Sequence, residues 1–322
     1  GIPYQRCGKV IVATAEEELP RLDRLYERGV ANRVPGLERV GPERLREIEP
    51  SVPALRGIYS PGTGIVDYRL VAATMAKVLE GRGAAVLTGA RVAKIARADG
   101  RLVLETPRGA ISAGRLINCA GLYADRVARL AGVRTGLQII PFRGEYYHLR
   151  PERRHLVRSL IYPVPDPAFP FLGVHFTRTI QGTVEAGPNA VLAFAREGYS
   201  YRQIRIRELA EFLAYPGFWR MAARYWRMGL YEMYRSLHKA AFLRALQRLL
   251  PAITAADLLP GGAGVRAQAV ERDGSLVDDF RIVETPHGIH VLNAPSPAAT
   301  ASLAIGRHIA GLAARTVTSR TS

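Results

Sequence analysis

Residues 288–306, GIHVLNAPSPAATASLAIG, constrain the fold more than any other stretch. The apolar run 289–292 reads as a buried strand, and Asn293-Ala294-Pro295 ends it. Ser296 and Pro297 then start a helix, serine as N-cap and proline at the first helical position. That helix opens on Ala298, Ala299, Thr300 and Ala301, side chains small enough for a flat ring to lie against the first turn. Its unpaired N–H groups and the positive end of its dipole favour a negatively charged guest. The same residues also suit a plain strand-to-helix turn packed on a sheet, because most such turns bind nothing.

An α/β reading extends from this corner. An apolar strand is expected at Lys9–Ala13, a helix at 16–28 and a short helix opened by Gly41-Pro42-Glu43. Asp67 caps a helix whose Leu70, Val71, Thr74, Met75, Val78 and Leu79 share one stripe. Short strands follow at 85–87, 91–95, 102–105 and near Ile111, with hairpin turns at Asp99-Gly100 and Arg108-Gly109. Residues 116–121, LINCAG, read as a buried strand ending in Ala120-Gly121, with a helix from Tyr123 to Leu130 at once behind it. Helix, strand, hairpin sheet, strand, Ala-Gly, helix is the remainder of a dinucleotide-binding domain once its first βαβ unit is removed. Ala-Gly at a strand end lets the backbone approach a cofactor, and an ordinary βα turn uses it equally well.

Strands at 138–150, 171–177 and 183–189 predict an antiparallel sheet, with His175 inside one of them. Gly262-Ala-Gly-Val-Arg-Ala267 fits G-x-G-x-x-[GA], yet no strand precedes it and a strand follows, so it is no nucleotide fingerprint. Its glycines instead let the backbone pass a ring, with Arg266 projecting toward a substrate carboxylate. Asp278-Asp279 is expected to end the strand after the Asp273-Gly274 turn, and 315–322 to form a frayed tail.

Composition narrows the function. The 322 residues are 48% hydrophobic and 23% charged, which is globular, and no apolar run approaches the ~18 residues of a membrane span. Cys7 and Cys119 are the only cysteines, far apart and without CxxC, which excludes a cysteine zinc site and fits a reducing compartment. The formal net charge of +17 leaves nucleic acid, an anionic membrane surface or acidic substrates as partners. No helix-turn-helix or zinc-finger spacing occurs, so nucleic acid is not expected. Residues 199–250 carry ten Lys/Arg, three acids and eleven aromatics. Helical signals dominate there, broken at Pro216-Gly217. The stretch reads as amphipathic helices over the substrate sheet or as a surface that leans on anionic lipid.

NAPSPAATASLAIG at 293–306, GVRAQAV at 264–270, IYPVPDPAFPFLGVHFTR at 161–178, PFRGEYYHLR at 141–150 and GPNAVLAFAREGY at 187–199 closely resemble the L-2-hydroxyglutarate oxidase/dehydrogenase family. This is a branch of the FAD-dependent oxidoreductases that also holds D-amino-acid and glycine oxidases. The resemblance runs from about Lys9 to the final helix. That family begins with a strand and a G-x-G-x-x-G turn for the FAD pyrophosphate. This sequence opens at Gly1 without either, so the expectation is N-terminal truncation.

The resemblance implies a mixed α/β fold: a Rossmann-like FAD-binding domain lacking its first βαβ unit, plus an antiparallel-sheet substrate domain with covering helices. The boundaries expected are 67–132 with 258–314 for FAD, 1–66 with 133–257 for substrate, and a tail at 315–322. It implies FAD as cofactor and a small dicarboxylic 2-hydroxy acid as substrate, oxidised to 2-oxoglutarate. Electrons pass to oxygen or a membrane quinone chain, in a cytoplasmic protein peripheral to the membrane's inner face. A reduced isoalloxazine, negative at N1 and O2, suits the corner after Ser296. Cofactor contacts are expected from Val92, Ala120, Gly121, Gly264, Val265, Pro297, Ala298, Ala299 and Thr300. Arg266 and then Arg143 are the candidate carboxylate clamps, His175 the base and Tyr146 a hydrogen-bond donor. For Arg143 a structural ion pair competes, and for His175 a satisfied core position. Other readings are a flavin oxidase of amino acids or glycerol phosphate, a non-catalytic basic lipid- or nucleic-acid-binding module, and an inactive fragment.

Overall fold

A computed structural model describes residues 1–167, 171–295 and 297–318. The chain divides into two compact units, one of residues 1–75, 143–191 and 227–264, the other of 76–142, 192–226 and 265–322.

The first unit is built on a mixed sheet. Its strands run in the order Glu38–Val40, Arg56–Ser60, Lys9–Ala13, Leu160–Pro163, His175–Arg178, Val184–Gly187 and Leu137–Leu149. Only Lys9–Ala13 and Leu160–Pro163 pair in parallel; the other pairs with a register are antiparallel. Side chains alternate across a strand, so register decides which face is buried. Ile161 faces Phe176, Phe176 faces Ala186, and Ala186 faces Tyr147. This row joins Val10, Val12, Phe242, Leu246 and Leu250 in the main core. Tyr147 meets Phe242 of the helix Lys239–Gln247 edge to face, ring centroids 5.0 Å apart. Each large apolar side chain buried in such a core contributes about 1.5–3 kcal/mol. The adjacent residues along each strand therefore point away from this helix.

The second unit holds two three-stranded sheets. In one, Gly288–Asn293 lies between antiparallel Arg281–Thr285 and parallel Leu116–Asn118. The other is the expected meander of Lys94–Ala98, Arg101–Thr106 and Gly109–Ala113. Asp99 and Gly100 both take positive φ at its first turn, as a tight hairpin requires. Ala124, Ala128, Leu137, Ile139, Ala269 and Leu292 form a buried cluster here.

Several expected elements differ. Residues 85–87 form no strand, and Val86 and Leu87 are exposed, because no described strand pairs with them. Lys94, rather than Arg91, opens the following strand, leaving Val92 in the connection before it. The stripe on the helix Tyr68–Glu80 buries none of its residues, although the Asp67 carboxylate accepts the Arg69 N–H (2.8 Å) as a cap. Strand Leu116–Asn118 ends two residues before Ala120, and Gly121–Tyr123 is a 3₁₀ turn ahead of the helix Ala124–Leu130. The backbone carbonyl of Ala124 and the N–H of Ala120 are both taken by the Asn118 side chain, which stops the strand.

His175 starts its strand rather than lying inside it. The break expected at Pro216-Gly217 falls at Ala214-Tyr215, between the helices Ile206–Leu213 and Pro216–Leu237, with Pro216 at the first position of the second, which kinks at Tyr225. Asp278-Asp279 precedes the strand Arg281–Thr285. The corner after residue 295 begins with a 3₁₀ turn, Ala298–Ala301, and the α-helix runs Ser302–Thr318. Pro297 is therefore a cap, extended at φ −92°, and not the first helical residue. The expected Ser296 cap lies outside the described residues, as do tail residues 319–322, whereas 315–318 are helical.

The boundaries also differ: 67–75 fall in the first unit and 192–226 in the second. An ion network anchors 192–226. Arg196 binds fully buried Asp125 at 2.6 and 2.9 Å, Arg126 reaches Glu208 at 3.1 Å, and Arg129 reaches Glu211 at 2.8 Å.

Candidate active site

On the first unit's sheet, the face turned away from the helix Lys239–Gln247 carries a second cross-strand row. Tyr162 lies beside His175, His175 faces Gly187, and Gly187 lies beside Tyr146. The Tyr162 and His175 rings stack with centroids 4.0 Å apart and planes at 21°. Burial pushes the Tyr162 phenol up, and the Thr177 hydroxyl bonds it. Lys9 Nζ sits 4.9 Å from the Tyr162 ring centre, and burial lowers its pKa.

Gly187 leaves a gap between the aromatic residues. A Cβ there would lie 2.7 Å from the Glu145 carbonyl oxygen and 3.2 Å from the Tyr146 ring, and φ is +146°. Gly261 plays a similar part beyond Tyr146, since its Cβ would come 2.5 Å from the Tyr146 carbonyl oxygen. The row is thus two aromatic residues and an imidazole on a floor cleared by glycine.

The hydrogen bond of His175 fixes its tautomer. Its Nδ1 is 2.9 Å from the Gly173 carbonyl, which can only accept, so Nδ1 donates. In the neutral ring the lone pair then belongs to Nε2, which is what a base needs.

Arg143 alternates with Gly144 and Tyr146 and so leaves this row. Its guanidinium is fully buried and pairs with Glu145, Nε and Nη2 lying 3.0 and 2.9 Å from Oε1. Glu145 also accepts from Asn189 Nδ2 at 2.8 Å and from the Ser236 hydroxyl, and its own N–H donates to Asn189 Oδ1 at 2.8 Å. This is the ion-paired geometry that competes with a clamp.

The second unit carries a cavity of about 460 Å³ at the ends of Leu116–Asn118 and Gly288–Asn293. Gly121, Ala298, Ala299, Ser302 and Gly306 line it, with Asn293 and Cys119. Of the expected cofactor contacts, Gly121, Ala298 and Ala299 stand in this wall. Ala120, Pro297 and Thr300 are their chain neighbours, and the Thr300 hydroxyl is turned back onto the Pro297 carbonyl at 2.8 Å. Val92, Gly264 and Val265 do not line it. Gly264, Val265 and Arg266 lie within one unbroken strand, Leu258–Glu271, where Ala267 faces the cavity and Arg266 alternates away from it. His175, Arg143 and Tyr146 belong to the first unit and Arg266 to the second.

A family model described as FAD dependent oxidoreductase matches residues 1–312. The chain belongs to that family. It is 51% identical over 306 residues to an L-2-hydroxyglutarate dehydrogenase of Indibacter alkaliphilus, covering 95% of this chain and 77% of that protein. It is 48% identical over 312 residues to one of Escherichia coli K12, covering 96% and 73%. An FAD-bound L-α-glycerophosphate oxidase of Mycoplasma pneumoniae superposes with a TM-score of 0.75 at 22% identity, over 96% of this chain and 73% of that one. A glycine oxidase of Geobacillus kaustophilus gives 0.67 at 19%, over 98% and 72%. These two likenesses speak for the fold.

The cavity residues of this FAD-dependent oxidoreductase fit a flavin. Gly121, Gly306, Ala267, Ala294, Ala298 and Ala299 give it small-residue walls beside the apolar Val291, Leu292, Ile305 and Ile309, and Gly121 holds φ +53°. The sequence missed Tyr162, Lys9, Glu145, Asn189 and Ser236. Only strand register could have found Tyr162, because nothing in its spacing from His175 marks the stack.

Proposed function

We propose that this FAD-dependent oxidoreductase oxidises L-2-hydroxyglutarate to 2-oxoglutarate, with His175 as the base. The observation that carries the site assignment is the row Tyr162–His175–Gly187–Tyr146, which holds a base-ready imidazole over a cleared sheet. The substrate assignment rests on relatives 44–51% identical that all bear one activity in their names. The glycerophosphate oxidase and glycine oxidases among the similar solved structures stand at 13–22% identity, where likeness reaches the fold alone.

When bound in the small-residue cavity, FAD supplies a two-electron acceptor for the hydrogen leaving C2. The chain's residues do the rest. Nε2 of His175 takes the C2 hydroxyl proton, and the Gly173 carbonyl steadies the imidazolium through Nδ1. Tyr146 donates a hydrogen bond to the substrate. A diacid needs guanidinium partners, and Arg266 is proposed as one of them although its strand position turns it from the wall that Ala267 forms. Lys9 adds positive charge beside Tyr162.

Electrons leave to oxygen or to a quinone chain. Among the described residues no helix is long and apolar enough to cross a membrane. Exposed Trp219, Trp226, Leu230 and Leu237 on the helix Pro216–Leu237, among arginines, suit contact with an anionic membrane surface. The test is anaerobic mixing of the FAD-loaded protein with L-2-hydroxyglutarate. Bleaching of the flavin absorbance, with 2-oxoglutarate formed in equal amount, is expected. A flavin that stays oxidised overturns the reading.

A further inference from the structure

His175 stands between two unlike neighbours. Across the sheet it faces Gly187 on one side and lies beside Tyr162 on the other. Gly187 has no side chain to lean on and can gain none, since a Cβ there would lie 2.7 Å from the Glu145 carbonyl oxygen at φ +146°. Lateral support within the row therefore comes from the Tyr162 side.

An imidazole used as a base has to be held against one particular motion. The torsion about its Cβ–Cγ bond is broad and roughly two-fold, not confined to narrow wells. The hydrogen bond from Nδ1 to the Gly173 carbonyl, 2.9 Å long, fixes one ring atom and the tautomer. It leaves the ring able to tilt about that atom, and a tilt carries Nε2 away from the hydroxyl it serves. A flat surface against the ring face resists tilting. The Tyr162 ring is such a surface, 4.0 Å from the imidazole centre with 21° between the planes.

Tyr162 is itself held. The Thr177 hydroxyl bonds its phenol, and Lys9 Nζ lies 4.9 Å from its ring centre. Thr177 is two residues beyond His175 on the same strand, His175–Arg178, and so shares its face. The strand that carries the base thus also tethers the tyrosine that supports the base.

We propose that Tyr162 is a positioning residue for the reaction, keeping the His175 ring in the plane in which Nε2 meets the C2 hydroxyl. The inference rests on His175 being the base. Tyr162 takes no proton and needs no contact with substrate. It acts on the rate, and it acts only through the imidazole.

The test is stopped-flow, anaerobic reduction of the FAD-loaded protein by L-2-hydroxyglutarate. Tyr162→Met replaces the flat ring by a flexible chain. The limiting rate of flavin reduction should then fall about tenfold or more while substrate Kd stays within about twofold. Tyr162→Phe keeps the ring and should bring the rate back to within about threefold of the parent. In a His175→Asn background Tyr162→Met should cost nothing further, because no base remains to be positioned. A loss of equal size in both backgrounds overturns the proposal, as does a loss that Tyr162→Phe leaves unrepaired. Should Tyr162→Met fail to fold, His175→Gly supplied with free bases reads the same slot with Tyr162 in place. Imidazole, which is flat, should rescue the rate saturably, whereas N-ethylmorpholine, a saturated amine of similar basicity, should not. Rescue by imidazole no better than by the amine overturns the proposal. A parent-like rate in Tyr162→Met beside a slow His175→Asn fails this inference alone. A parent flavin that stays oxidised, or His175→Asn reduced at the parent rate, fails the reading of the site and the inference with it.

Discussion

The two units carry their candidate chemistry on different kinds of surface, a sheet face in the first and a small-residue cavity in the second. In the first, strand alternation sends Ile161, Phe176, Ala186 and Tyr147 into one continuous core and leaves the other face for Tyr162, His175 and Tyr146. In the second, Gly121, Ala298, Ala299 and Gly306 wall a cavity at the ends of the strands Leu116–Asn118 and Gly288–Asn293. A sheet face backed by its own core can hold a side chain still enough to act as a base. A cavity walled by glycine and alanine is suited to admitting a large flat molecule. Chemistry and cofactor retention should therefore separate by mutation.

The largest effect tests that separation directly. His175→Asn in the FAD-loaded protein should slow anaerobic flavin reduction by L-2-hydroxyglutarate about 10²–10⁴-fold, the usual worth of a general base. Substrate Kd and flavin content should hardly change, because the His175 side chain sits on a half-exposed row outside the core. Gly121→Val should do the reverse, emptying the protein of flavin, since φ +53° does not accept a β-branched residue. A single variant that lost both properties together would erase the distinction between the units.

Next in size is a contrast between two buried arginines. Arg143 in the first unit and Arg196 in the second each pair with a carboxylate, and each is at most 2% exposed. Removing one partner of a buried pair leaves a charge stranded at a cost of about 3–5 kcal/mol. Arg143→Met should lower unfolding stability by that amount, because the donors that Glu145 keeps among the described residues, Asn189 and Ser236, are neutral. Arg196→Met should cost less, because Asp125 retains Arg129 at 3.0 Å and the Ile139 N–H at 3.3 Å. Chemical denaturation measures both. If Arg143→Met keeps its stability and instead raises the KM, Arg143 is a substrate clamp after all.

Much of this was legible before the structure, and the reasons are physical. Lys9–Ala13, Gly288–Asn293 and the hairpin at Asp99-Gly100 are local features, fixed by apolar runs and turn chemistry. Ala298 and Ala299 could be set near the end of the strand Gly288–Asn293 because they follow it closely along the chain, whereas their meeting with Gly121 depends on the parallel pairing of that strand with Leu116–Asn118. Residues 85–87 were not, because a strand needs a neighbour and apolar composition does not supply one. The Tyr162–His175 stack, the Arg196–Asp125 pair and the Glu145–Ser236 bond join residues distant in sequence. No periodicity encodes such meetings.

The smallest effect concerns a buried imidazole in the second unit that has no counterpart in the first. His290 is 1% exposed and lies opposite Asn118 across the parallel pair. Asn118 Nδ2 donates to the Ala124 carbonyl at 2.8 Å and lies 3.3 Å from His290 Nδ1. With an amide donor facing it, Nδ1 accepts, and protonation would set donor against donor. Burial lowers the His290 pKa below its ordinary value of about 6.5. Below that value the unfolded chain binds a proton that the folded chain refuses, so stability falls as pH drops through about 6.5 and is unaffected by His290 above it. His290→Asn, which cannot titrate, should flatten that part of the denaturation profile relative to the parent chain. Because Asn118 also holds the Ala120 N–H at 3.1 Å, beside cavity residues Cys119 and Gly121, acid should loosen the cofactor corner first. Flavin fluorescence released between pH 7.5 and 5.5 should therefore rise in the parent and less in the variant. Equal release from both would mean that the imidazole and its amide neighbour do not govern the cradle.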